Sequence, residues 1–159
     1  MANQARRDRG APVGGSPGGP LSGRVAILTG AAGGLGSATL RALRHAGATV
    51  VPVDVHGDDC LIADVATAEG NRRMVDLALG RHGRLDILVL NAGAQAMNPI
   101  VGYAEADWDR LMNLMVKGPF LAMKFAWPTL TRQPGGWIIV TSSTAGLAGA
   151  PYKAAYVAA

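Results

Sequence analysis

Cysteine occurs once, at Cys60, so no disulfide can form within the chain. This usage fits a reducing compartment. Aromatic residues make up only 5%, too few for the stacking platforms that hold single-stranded nucleic acid. No stretch suits a membrane span. The longest uncharged run, Gln133–Tyr152, is interrupted by Pro134, Gly135, Gly136, Gly146, Gly149 and Pro151 and reads as a strand plus a loop. No apolar segment follows the N-terminal arginines, so a secretory leader is not expected and a cytoplasmic location is. No metal site is expected.

What is present describes a globular chain. At 159 residues and 49% hydrophobic content it can bury the core of one ordinary domain. Its net charge of +4 is unevenly spread. Arg6, Arg7, Arg9 and Arg24 against one Asp give residues 1–24 a charge of +3, which leaves the body near neutral. Residues 1–22 are rich in Gly, Pro, Ser and Arg, with almost no apolar periodicity, and are expected to be a disordered tail. Residues 23–159 are expected to form the folded domain. With the basicity confined to the tail, neither nucleic acid nor membrane is expected as a partner.

Apolar runs and helical spacings alternate along the body. Val25–Thr29, Ala48–Val53, Cys60–Ala63, Asp86–Leu90 and Trp137–Val140 read as strands. Ser37–Ala46, Thr67 to Arg81 and Glu105 to Leu130 read as helices, the last kinked at Gly118-Pro119 and ended by Pro128. Ser142–Pro151 reads as a loop, and Tyr152–Ala159 as the opening of another helix. Strands alternating with helices imply a parallel sheet wound by right-handed crossovers. Pro52 is expected late in its strand, where its missing N–H does least harm.

The densest signal is Thr29-Gly30-Ala31-Ala32-Gly33-Gly34-Leu35-Gly36, between the first strand and the first helix. The first amides of a helix lack internal partners and carry the positive end of the helix dipole. A diphosphate can dock there if no Cβ intervenes, hence glycine. Asp54 ends the second strand, 24 residues after Gly30. A carboxylate at that spacing accepts hydrogen bonds from ribose hydroxyls and repels a 2′-phosphate, which favours NAD over NADP. Asn91-Ala92-Gly93 follows the fourth strand, where small residues leave room for a ligand.

These motifs, together with Asp64-Val65 and the pair Ser143 and Tyr156 set 13 residues apart, resemble the short-chain dehydrogenase/reductase family from Gly23 onward. The resemblance implies a Rossmann-type doubly wound α/β sheet with helices on both faces, its C-terminal strands missing from this chain. It implies an oxidoreductase that transfers hydride between a nicotinamide cofactor and an alcohol or carbonyl. Gly30, Gly34, Leu35 and Gly36 would hold the diphosphate, Asp54 the ribose, and Asp64 and Val65 the adenine. Asn91, Ala92 and Gly93 would line the cofactor trough. Tyr156 would be the general acid/base and Ser143 would orient the substrate oxygen. The resemblance also implies a homo-oligomer for the full-length form.

Two positions depart from the family pattern. The family places a lysine four residues after the tyrosine, and the sequence stops at Ala159, one position earlier. Lys153 lies three residues before Tyr156 and is not expected to replace it. The family's asparagine, three residues before the glycine of Met115-Val116-Lys117-Gly118, is here Met115, which is expected simply to pack. Asn113 lies about 200° around the helix from it and should not point the same way. The chain is therefore expected to be the cofactor-binding part of a longer enzyme, weak or inactive by itself. The alternative is a non-catalytic dinucleotide-binding module that acts through a protein partner.

Overall fold

Five parallel strands form one sheet in the order β3-β2-β1-β4-β5. They are β1 (Val25–Thr29), β2 (Thr49–Asp54), β3 (Leu61–Ile62), β4 (Ile87–Leu90) and β5 (Trp137–Val140). The computed structural model describes residues 18–132 and 135–159. Most of the expected tail lies outside the described residues. The described part of it, residues 18–22, forms turns, and the Leu21 N–H donates to the Ala46 carbonyl at 2.8 Å. Leu21 also packs against the core.

β1 and β4 are buried at every position, as befits central strands covered on both faces. Alternate residues face opposite layers. Ile27, Val53, Leu88 and Leu90 meet α2 (Ala68–His82) and α4 (Gly118–Leu130) through Met74, Val75, Ala122 and Ala126. Ala26, Leu28, Val50 and Val89 meet α1 (Gly34–His45) through Leu40. The result is a doubly wound α/β sheet.

Pro52 sits inside β2, paired in register with Leu28. Residues Thr49 and Val53 bond toward β1, through Thr49 N–H to Arg24 O and Ala31 N–H to Val53 O. Pro52 therefore faces the other flank, where β3 begins to pair only at Val53. Its missing N–H costs no ladder bond.

Several boundaries differ from the sequence expectation. The first helix, its bulk expected at Ser37–Ala46, begins at Gly34 and ends at His45, and the third strand shrinks to Leu61–Ile62. The long helix is divided. α3 (Glu105–Met112) passes into one π turn, residues 113–117, and then into α4. The Gly118 N–H reaches back to Asn113 O. Pro128 does not end α4, which continues to Leu130. The expected loop after β5 contains a short helix, α5 (Ala145–Ala148), and α6 (Ala154–Ala158) follows. Among the described residues no helix is long and apolar enough to cross a membrane.

The end of the sheet where the strands begin is clamped by one carboxylate. Asp86, 1% exposed, accepts Arg24 Nη1 at 2.9 Å, Arg84 Nη2 at 2.6 Å and Nε at 2.8 Å, and the Val25 N–H at 2.9 Å. Burial pushes its pKa up. The hydrogen bonds from Arg84, Val25 and Arg24 outweigh this and hold it down at about 2. Its folded value is thus below the unfolded one, so its contribution is complete above about pH 4 and disappears as pH falls toward 2. Asp86→Asn is expected to lower unfolding free energy at pH 7 by about 2 kcal/mol. Urea unfolding at pH 7, 4 and 2.5 should show that gap closing with acid; a gap independent of pH would refute the assignment.

Candidate active site

The carboxyl ends of all five strands open onto one cleft of about 810 Å³. Every site residue expected from the sequence lines it. After β1 come Gly30, Gly34, Leu35 and Gly36; at the ends of β2 and β3 come Asp54, Asp64 and Val65. After β4 come Asn91, Ala92 and Gly93; beyond β5 lie Ser143 and, on α6, Tyr156.

The glycines of the first turn have distinct reasons to be glycine. Gly30 has φ 67°, and a Cβ there would stand 2.8 Å from Ala92 Cα. A Cβ on Gly36 would collide with the Gly30 carbonyl. At Gly34 a Cβ would meet nothing of the protein within 4 Å. Gly34 lines the cleft, so its bareness leaves space there rather than serving the packing. The N-cap of α1 is Gly33, which has no side chain to cap the helix, and no acidic residue occupies the first turn. The opening amides of α1 thus lack both the usual capping oxygen and a competing carboxylate.

Asp54 is tied to this loop. Its Oδ2 accepts the Ala32 N–H at 2.9 Å, while Oδ1 accepts the Val55 N–H at 2.7 Å and meets His56 Nδ1 at 3.1 Å. Oδ2 keeps one acceptor position. His56 is 72% exposed and can swing away to release a second on Oδ1.

Thr29 and Asn91 lock β1 to β4 beneath the cleft. The Thr29 hydroxyl oxygen accepts the N–H groups of Asn91 at 2.9 Å and Ala92 at 3.1 Å. The Asn91 amide Nδ2 donates to the carbonyls of Thr29 and Gly30, and Thr141 Oγ1 donates to Asn91 Oδ1 at 3.3 Å. Opposite them, Asn71 holds the turn that carries Asp64 and Val65. It is fully buried and donates to Val65 O at 2.6 Å and Thr67 O at 2.7 Å. In the sequence Asn71 is marked only as a lone asparagine within an otherwise apolar helical face.

At the far end, the Ser143 hydroxyl oxygen accepts the Ala145 N–H at 3.2 Å, which fixes the oxygen and leaves its O–H free to donate. Tyr156 is half-buried. Met115 lies in the π turn and lines the cleft, its Sδ 3.6 Å from where a Cβ of Gly93 would be. Met115 therefore packs, as the sequence suggested, but on the cleft wall. Gln95 and Arg110 also line the cleft, with no motif in the sequence to mark them. Among the described residues no three of His, Cys, Asp and Glu gather as a metal-holding group.

A family model described as short chain dehydrogenase matches residues 24–159. The uncharacterized oxidoreductase Lmo0432 of Listeria monocytogenes is 31% identical over 152 residues, covering 86% of this chain and 61% of that protein. The 3-oxoacyl-(acyl-carrier-protein) reductase FabG of Thermotoga maritima is 30% identical over 154 residues, covering 87% of this chain and 63% of that protein. Among solved structures, an NAD+-bound xylitol dehydrogenase superposes with a TM-score of 0.81 at 28% identity, covering 86% of this chain and 59% of that one. The chain thus spans about three fifths of the length of these relatives.

The two kinds of glycine separate experimentally. Gly36→Ala is expected to destabilise the chain by more than about 2 kcal/mol, because backbone must move to admit the Cβ. Gly34→Ala is expected to leave stability unchanged or raise it by a few tenths of a kcal/mol, as alanine in a helix should. Thermal unfolding of both variants checks this, and a comparable loss in Gly34→Ala would show that the space at residue 34 is structural.

Proposed function

Because the chain belongs to the short-chain dehydrogenase family, we propose that it is the dinucleotide-binding part of an NAD-preferring oxidoreductase acting on an alcohol/carbonyl pair. The observation that carries this reading is Gly34, which is bare toward the cleft with no protein atom to require it. The fit extends to the rest of the site. The opening amides of α1 would meet the diphosphate, and the unoccupied acceptor position of Asp54 the ribose hydroxyls. Asp64 and Val65 would flank the adenine, and Asn91 to Gly93 would form the floor of the trough. Asp54 beside the sugar disfavours a 2′-phosphate by charge repulsion.

A bound nicotinamide supplies or accepts the hydride. The chain's own groups handle the oxygen. Hydride arriving at a carbonyl carbon builds negative charge on its oxygen, and that charge must be met as it forms. The free O–H of Ser143 would donate to that oxygen, and Tyr156 would deliver the proton, or take it in the reverse direction. The substrate is a small alcohol or carbonyl compound. The exposed apolar residues Val116, Phe120 and Trp127 on and before α4 support self-association of a longer form.

Met115 favours a second reading, a binding module without catalysis. A thioether stands in the cleft where a polar side chain would be needed to hold a water for proton relay. Dinucleotide binding is common to both readings, and turnover separates them.

Titration of the purified chain with NADH and NADPH is expected to show tighter NADH binding. Gly34→Ala should weaken NADH by about tenfold while the fold persists. Asp54→Ala should weaken NADH and narrow its advantage over NADPH. Binding of neither dinucleotide would overturn the proposal. With NADH bound, oxidation of simple polyols or reduction of ketones is expected to be slow at best, and Met115→Asn is expected to raise any rate observed. An unchanged rate in that variant would favour the binding module.

A further inference from the structure

Tyr156 does not stand alone on α6. The Nζ of Lys153 lies 5.9 Å from the centre of its ring, and both residues are half-buried. The backbone that brings them together is unusual. Tyr152 has φ 63°, and among the described residues it is the only non-glycine in the left-handed region. Its carbonyl accepts the Asn98 N–H at 2.9 Å, which fastens the bend to the loop after β4. Lys153 follows as the residue that opens α6, and its carbonyl accepts the Val157 N–H at 2.9 Å. Lys153 and Tyr156 are then one helical turn apart, the spacing at which side chains meet.

We propose that Lys153 is a positioning residue for Tyr156, held over the ring by the left-handed bend at Tyr152. The inference rests on the reading of Tyr156 as the group that moves a proton. When the Tyr156 O–H bond breaks and its proton passes to the substrate oxygen, negative charge spreads from the phenolic oxygen into the ring. A cation over the ring face opposes that charge. Lys153 itself transfers no proton in this step.

The other charged groups near α6 do not take this place. α3 packs against α6 and carries Glu105, Asp107, Asp109 and Arg110. Of these, Arg110 lines the cleft with Tyr156, and it pairs with Asp107 at 3.2 Å. α5, also packed on α6, carries no titratable side chain. The loop fastened by Asn98 adds Tyr103, whose hydroxyl donates to Ala96 O at 3.3 Å. Asp54, His56 and Asp64 line the cleft at the ends of β2 and β3.

Tetranitromethane nitrates tyrosine through its phenolate, so it reads this coupling without dinucleotide or turnover. The 159-residue chain is nitrated at pH 8, and each site is quantified by peptide mass spectrometry with Tyr103 as the internal reference. Lys153→Met and Lys153→Gln are expected to slow nitration at Tyr156, relative to Tyr103, by roughly two- to fivefold. Lys153→Arg should retain the rate, and Arg110→Gln should leave it unchanged. Far-UV circular dichroism verifies the fold, and two neutral replacements guard against failure of one. An unchanged ratio in both neutral variants, or an equal fall in Lys153→Arg, would overturn the proposal. So would a fall confined to Arg110→Gln. Failure of NADH binding would remove the dinucleotide reading but would not alter this ratio, so the two outcomes are distinguishable.

Discussion

Much of this structure depends on how closely the chain can approach itself between β1 and α1. The Gly30 carbonyl lies where a side chain on residue 36 would begin. That contact draws the start of α1 down onto the end of β1, and Asp54 then reaches the loop through Ala32. Thr29 and Asn91 draw β4 to the same point from the other side. Four separate segments therefore present their backbone to one cleft, and a wider turn would separate them. The proposed chemistry is possible only because the turn has no bulk.

Much of this was legible in the sequence, for a physical reason. A strand covered on both faces is apolar along its run, so Val25–Leu28 and Ile87–Leu90 announce themselves without periodicity. The residues that face the cleft occupy strand ends and tight turns, where composition is restricted by space, and all twelve expected from the sequence line it. What stayed hidden was set by contacts between distant residues. Asp86 gives no local sign that it will bind Arg24, 62 residues away. Asn71 looks like any polar residue on a helix until the turn at Val65 folds over it. Tyr152 offers no hint of a left-handed backbone, since nothing about a tyrosine favours one. Helix limits differ for a similar reason: glycines at Gly34 and Gly36 argue against a helix locally, yet α1 opens at Gly34, and Gly36 is buried against the Gly30 carbonyl.

The division of the expected long helix connects local sequence to the site. A π turn carries one extra residue per turn and rotates everything after it. In this chain it covers residues 113–117, so it sets where Met115 points. The result is a thioether against Gly93 on the cleft wall. The thioether that the proposed binding-module reading rests on thus sits at the most irregular point of the helix.

The two margins of the sheet are unequal. On one side, Pro52 removes a donor from the outer flank of β2, and β3 beyond it is only two residues long. On the other, β5 presents an open row of backbone groups beside exposed Trp137 and Ile139. Fibres grow when a molecule offers two adhesive margins, so that each copy can recruit the next. Among the described residues only β5 offers an open row of that length. A strand laid along β5 would meet free donors and acceptors, while one laid along β3 would find few.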